Sequence, residues 1–474
     1  MESKEKLPYC IEILKTINSD YNYYSISSNS SGIALFRGHE NKDYFFQPSI
    51  QRDEKEGIDE HELYNYILKK HAEEFKGMKP IEILAKMQHM GVSTRLLDLT
   101  FSPLVADFFA VSSLGKKANS SSIDGEVLAF NVEKNELKDF DSDTVKGLSA
   151  IPMIKSVDKQ QLYVDLLNDL LIQCASQRIL SKVFRRFEYT IELKEKIRTA
   201  LHVFCYAIEL HKKGKPIGSS LRDALGSNYS DVHDSQEKDA IEIPFFSRES
   251  SGKNSEIRIS FFLNYMDDSD NNLVLKIKTK MKNNDYTCPT RTVNDKQVFN
   301  IEPFLEPDEK VSDFLNENGN DSALVYCDTY YSDSLEQLYY CIQKYYIEYR
   351  RCVRPLDLIN GSFVSPIVNT DRMRMQNGAF GLLGLFSNWN LLKYIKYLEK
   401  SNSLTANEII DRIVKNQTDS SHDMENDLFG FIRMRIPAGK KEEVSKNLSF
   451  LKIDKETLGC GLDTTYYQFL TGYV

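Results

Sequence analysis

The sequence predicts an α+β fold, and three observations carry that prediction. Apolar runs of strand length stand at Ile33-Ala34-Leu35-Phe36, Val127 to Val132 and Phe431 to Ile436, at both ends of the chain. Between the first two, Leu63, Ile67, His71 and Phe75 keep helical spacing. The middle changes texture, first helical and then β-like, before short elements return past Arg350.

Taken in order, residues 1–30 hold one amphipathic stretch, Leu7 to Ile17, and a Ser/Asn-rich loop, Ser25 to Ser31. Ile33 to Phe36, bounded by Gly32 and Arg37-Gly38, is too short for a helix and suits a strand buried on both faces. Asp59 to Phe75 reads as a helix, and Leu84 to Met90 as another after Pro80. Pro103 to Ser113 is a third, with Pro early in the helix and Ser102 as N-cap. From about Lys155 to Lys213, Leu162, Leu166, Leu170 and Cys174 recur every four positions, and Ile191 to Leu210 is equally helix-prone. A polar linker over 214–240 leads to strands at Ile257 to Phe261 and Leu273 to Ile277, joined by the turn Asp267 to Asn272. That turn lacks the Gly and closing Glu of a calcium loop. An acidic loop is expected from Glu306 to Asp321. Tyr326, Tyr330, Tyr331, Tyr339, Tyr340, Tyr345, Tyr346 and Tyr349 crowd the next region, more as packing residues than as a base-stacking platform. After Phe431 to Ile436 come a helix, Lys440 to Phe450, and a compact tail.

Composition excludes several classes. With 474 residues, 41% hydrophobic and 27% charged, the chain is long enough for two or three domains and too apolar for disorder. Lys and Arg number 60 against 69 Asp and Glu, a net charge of −9. A generally basic, phosphate-coating surface is therefore excluded, which leaves local spots at Arg185-Arg186 and Arg350-Arg351-Arg354. No stretch approaches the ~18 apolar residues of a membrane span, and the start MESKEKLPYC lacks a secretory core, so the reading is cytoplasmic with no membrane partner. The eight cysteines are scattered without CxxC spacing, which argues against zinc and a disulfide framework. No P-loop, GxGxxG, HExxH or GxSxG pattern occurs.

Polar groups gather beside apolar elements in three segments: Phe36-Arg37-Gly38, Gln88 to Asp98 (QHMGVSTRLLD) and Arg374 to Phe380. At these residues the chain resembles the FRG-domain family. Its signatures are F/Y-R-G and roughly Q-H-x-G-x-x-T-R-L-L-D-x-T followed by a small-and-aromatic helix. Here they stand as Gln88 to Thr100 and Ala106-Asp107-Phe108-Phe109-Ala110. RMRMQNGAF, ending at Phe380, resembles the family's Q-x-G-x-F element, and Met434 to Leu462 its closing stretch. The resemblance covers roughly 30–135 and 350–470. It implies an N-terminal helical extension (1–30), a first core half (31–139), an insertion of helices and then strands (140–349) and a second core half (350–474).

The FRG domain is similar in turn to the ADP-ribosyltransferase fold of the Arg-Ser-Glu type, which implies a discontinuous core with a split antiparallel sheet and NAD as substrate. Arg37 matches the strand-end Arg, Ser93-Thr94 the Ser-Thr element, and Gln376 stands where that type has Glu. An Arg there offers a planar bidentate donor to the diphosphate, and hydroxyls hold the nicotinamide-side ribose. The third group bonds the ribose 2′-OH as the glycosidic bond breaks and positive charge develops, and a Gln keeps that geometry without the negative charge. The implied catalytic set is Arg37, Ser93, Thr94 and Gln376. The implied NAD-binding set is Arg37, Gly38, Gln88, His89, Arg95, Asp98 and Phe380, with no metal. The implied function is an NAD-dependent ADP-ribosyltransferase-like toxin or antiphage effector acting on RNA, DNA or protein, with an antitoxin or other defence component as partner. The alternative is a non-catalytic module that binds a nucleotide-like ligand or a protein as sensor or scaffold. Each residue also has a plainer role: Arg37 paired with a carboxylate such as Asp98, Asp98 holding Arg95 or Arg37, His89 packing a helix end, Ser93 and Thr94 capping, and 376–378 a turn into a strand.

Overall fold

The computed structural model describes residues 32–51, 57–112, 123–183, 233–234, 240–248, 254–265, 273–279, 282–293, 296–319, 333–349, 353–365, 374–386, 390–415 and 431–458. Outside them lie Leu7 to Ile17, Ser25 to Ser31, Arg185-Arg186, Ile191 to Leu210, residues 214–232 and 235–239 of the expected linker, the Asp267 to Asn272 turn, residues 320–321 of the expected acidic loop, Tyr326, Tyr330, Tyr331 and Arg350-Arg351.

Strand β1 (Gly32–His39) sends alternate side chains to opposite faces, so Leu35 enters one hydrophobic cluster and Phe36 another. The two-faced burial expected of this run is what its neighbours impose. Helix α1 (Glu60–Lys70) starts where the Asp59 carboxylate accepts the Glu62 N–H, and a tighter turn, Ala72–Phe75, carries the pattern on to Phe75. Helix α2 (Pro80–His89) opens on Pro, whose missing N–H is harmless there, and the Glu82 carboxylate accepts the Lys79 N–H at 2.8 Å. Strand β2 (Leu96–Thr100) is followed by α3 (Pro103–Val111), capped by Ser102 as its sequence predicts. Then come β3 (Gly125–Glu133), β4 (Leu137–Asp139), α4 (Asp143–Ala150) and α5 (Ser156–Val183). In α5 the four-residue repeat Leu162, Leu166, Leu170 and Cys174 is buried throughout.

A second sheet is built from β5 (His233–Asp234), β6 (Ala240–Arg248), β7 (Asn254–Tyr265), β8 (Leu273–Thr279), β9 (Lys282–Val293) and β10 (Lys296–Phe299). Its strands lie in the order β10-β9-β8-β7-β6-β5, each antiparallel to its neighbour. The strands expected at 257–261 and 273–277 are the paired β7 and β8. Of the stretch expected as an acidic loop, Glu306 to Asp321, residues 306–310 are non-helical and 311–319 instead form α6 (Val311–Gly319), because Val311, Phe314 and Leu315 fall at i, i+3 and i+4 and are buried together. The remaining elements are α7 (Asp333–Gln343), α8 (Pro355–Asn360), β11 (Gly361–Ser365), β12 (Gly378–Leu383), α9 (Leu391–Asn402), α10 (Ala406–Lys415), β13 (Phe431–Ile436) and α11 (Lys441–Phe450). Tyr339, Tyr346 and Tyr349 are buried as packing residues, whereas Tyr340 and Tyr345 are exposed.

The α+β class holds. The main sheet has seven strands in the order β13-β3-β1-β2-β12-β11-β4, antiparallel except where β11 runs beside β4. β1 pairs with β3 along its whole length but with β2 only at Phe36 opposite Thr100. The sheet therefore forks between β1 and β2, and the far side of the fork is completed by β12, drawn from much later in the chain. One face packs in a large cluster that also takes Val145, Leu148, Leu162 and Leu166 from α4 and α5. The other face is covered by α3 and α11. A Cβ on Gly38 would sit 1.9 Å from the Ala106 carbonyl oxygen, and one on Gly125 2.2 Å from that of Ala110. Glycine on the strands and alanine on α3 are thus the two sides of one close contact.

Candidate functional site

The fork is lined by polar groups because two strands that have parted leave backbone and side chains without ladder partners. Arg37, half-buried on β1, reaches across it: its Nη1 donates to the Asp98 carbonyl oxygen at 2.5 Å and its Nε to His39 Nε2 at 2.9 Å. His39 Nδ1 in turn lies at hydrogen-bond distance, 2.9 Å, from Glu126 Oε1, and Arg433 Nη1 donates to both Glu126 oxygens at 2.8 Å. One polar seam thus crosses β2, β1, β3 and β13.

The opposite wall comes from the second signature. Asp98 is exposed on β2, and its carboxylate accepts from Gln88 Nε2 at 2.7 Å. Gln88 Oε1 accepts the Thr94 hydroxyl at 3.2 Å, and the Thr94 oxygen accepts the Leu96 N–H at 3.2 Å. The end of α2, the loop and the strand are stitched into one rigid unit. Ser93 sits half-buried in that loop, and His89 ends α2. Thr94 leads into strand β2, so its hydroxyl caps no helix.

Gln376 comes to the fork by its backbone: its carbonyl accepts the Thr100 hydroxyl at 2.7 Å, and Thr100 is the residue paired with Phe36. Its side-chain amide turns the other way and donates to the Leu458 carbonyl at 3.0 Å. Asn377, with φ at +44°, makes the turn into β12. Phe380, opposite Asp98 in register, is buried in the main core, and Gly38 lies under α3.

Two plainer roles need correction. The Asp98 carboxylate holds Gln88, and Arg37 meets only its backbone. Arg95 points away from the fork and pairs with Glu60 (Nε to Oε1 2.9 Å, Nη2 to Oε2 2.5 Å) while Nη1 donates to the carbonyls of Leu383 and Gly384. Lys159 adds a 2.6 Å contact to Glu60 Oε2. Burial works to raise the Glu60 carboxyl, but Arg95 and then Lys159 overrule it and hold it at about 2. Arg95 and Lys159 line a cleft of about 640 Å³ with Asp59, Ser156, Tyr163 and Phe386, and no other residue of the expected site borders it. On α3, Asp107 is fully buried with no hydrogen-bond partner for either oxygen, and burial pushes its carboxyl up to about 8. Arg354 of the expected basic spot pairs with Asp357 at 2.6 Å.

His39, Glu126 and Arg433 were not legible as site residues. His39 alone carried a local signal, since it stands two positions after Arg37 and so shares its face of the strand. Glu126 and Arg433 meet it only through cross-strand pairing.

Among the described residues no helix is long and apolar enough to cross a membrane. Residues 32–119 match the family model of the FRG domain, which bears out the resemblance carried by Phe36-Arg37-Gly38 and Gln88 to Thr100. The match does not extend to 350–470. No curated protein and no solved structure matches the chain.

Proposed function

We propose that this FRG-domain chain is an ADP-ribosyltransferase-like enzyme that takes NAD at the fork between β1 and β2 and transfers ADP-ribose to a macromolecular acceptor, as a toxin or antiphage effector. The observation that carries this reading is the position of Arg37, a half-exposed guanidinium where an antiparallel sheet splits, facing the Thr94-Gln88-Asp98 wall. Its planar donors suit the diphosphate. In the reaction the ribose C1′–N bond breaks, the electron pair leaves with neutral nicotinamide, and the acceptor nucleophile forms the new bond to C1′ while its proton passes to solvent. The positive charge that develops on the ribose calls for an anion at the fork. Asp98 supplies one there, whereas the Gln376 amide is neutral and directed to Leu458.

That Gln376 contact favours a second reading, in which the fork binds a nucleotide-like ligand without cleaving it and the chain acts as sensor or scaffold. Incubation with NAD, following nicotinamide by chromatography and NAD binding by calorimetry, separates the two. Release that is lost in Arg37→Ala and Asp98→Asn supports the enzyme. Binding without release supports the module, and neither binding nor release refutes NAD as the ligand of the fork in either reading. Labelled NAD offered with RNA, DNA and protein fractions then identifies the acceptor.

A further inference from the structure

We propose that His39 is the positioning residue for Arg37: held in a single tautomer by Glu126 and Arg433, it presents an acceptor to the Arg37 Nε–H and so aims the guanidinium across the fork. The choice of NAD as the ligand rests on the function proposed for the fork; the positioning stands on geometry of its own.

The tautomer is dictated by the partners. A guanidinium has donors and no acceptor, so the His39 Nε2 that faces Arg37 Nε at 2.9 Å must carry a lone pair. An ionised carboxylate only accepts, so the Nδ1 that faces Glu126 at 2.9 Å must carry the proton. Both demands select the same neutral ring. Glu126 lies opposite His39 in register and is fixed from its other side by Arg433, so three strands, β13, β3 and β1, converge on one side chain of the fork. His39 is 4% exposed and Glu126 3%, which keeps competing water away and strengthens each bond. The Tyr44 ring meets the imidazole edge-on with centroids 6.1 Å apart. An Arg aimed in advance does not lose its rotamer freedom when ligand arrives, which is how such a relay raises affinity without touching the ligand.

Two substitutions separate the two ring nitrogens. His39→Gln places an amide oxygen near the Nε2 position and keeps an acceptor for Arg37. His39→Asn keeps a group near Nδ1 and leaves Arg37 without that acceptor. NAD affinity should fall by about tenfold or more in H39N, the loss of one charge-assisted bond, and stay within about threefold of wild type in H39Q. Equal losses in both, or none in either, would overturn the proposal. Should H39N not fold, His39→Ala with added imidazole replaces it: restored affinity supports the relay, and no restoration overturns it. A second readout does not depend on NAD, namely solvent exchange of the Arg37 Nε–H followed by nitrogen-15 NMR. Slow exchange in wild type and H39Q but fast in H39N supports positioning even if wild type binds no NAD, a result that would sink the functional reading alone. Equal exchange in all three sinks the positioning role.

Discussion

Replacing Arg95 with Met keeps the aliphatic stem and removes the charge from a buried cluster, which tests whether this residue of the second signature serves ligand or fold. In wild type Glu60 is 4% exposed and contacts Arg95 and Lys159 at 2.5 and 2.6 Å. Removing one partner of a buried pair costs about 3–5 kcal/mol. Independently, holding the Glu60 carboxyl at about 2 rather than 4.5 corresponds to ~3 kcal/mol at about 1.4 kcal/mol per pH unit. Lys159 remains in the variant, but the Leu383 and Gly384 carbonyls lose their donor, so we expect a loss of ~3 kcal/mol in urea unfolding followed by circular dichroism at neutral pH. The Glu60 carboxyl is depressed in the fold, so its stabilisation is present above the ordinary carboxylate range and is lost as pH falls from about 4.5 towards about 2. That acid limb should flatten in Arg95→Met. Glu60→Gln combined with Arg95→Met should cost less than the two single changes added together. Wild-type stability in Arg95→Met with weakened NAD binding would refute the reasoning and return Arg95 to the ligand.

Gly38→Ala should lower stability by about 3 kcal/mol or more in the same assay, because the new methyl meets the Ala106 carbonyl at 1.9 Å and backbone has to move. Asp107→Leu should stabilise the protein at alkaline pH: with its carboxyl raised to about 8, Asp107 stabilises below about pH 4 and that contribution is lost as pH rises through about 8, a slope that the variant should lack in unfolding measured across this range. Gln376→Glu should leave nicotinamide release near the wild-type rate, because this side chain is directed to Leu458 and not into the fork, while losing the donor to Leu458 at a cost of about 1–3 kcal/mol. Unchanged release with lower stability would confine Gln376 to holding the chain beyond β13.

The local elements of this protein were legible because their signals are local. Pro103 behind Ser102, the four-residue repeat in α5 and the β-branched and apolar runs at β1, β3 and β13 each report a backbone preference that neighbours do not overturn. The F-R-G and Q-H-M-G-V-S-T-R-L-L-D segments were likewise recognisable as a pair. What each side chain in them contacts was decided by packing and pairing around the sheet. Phe36 fills the core under α3, Gly38 admits that helix, and Arg37 alone reaches across the fork. Arg95 and Asp98, three positions apart, point to different partners because one precedes the strand and the other lies within it. Residues 311–319 of the acidic segment became a helix because their three apolar residues found a core to enter, a gain that charge counting along the chain does not register. Glu126 and Arg433 join His39 only because β3 and β13 lie beside β1, and strand order depends on contacts between residues some 300 positions apart.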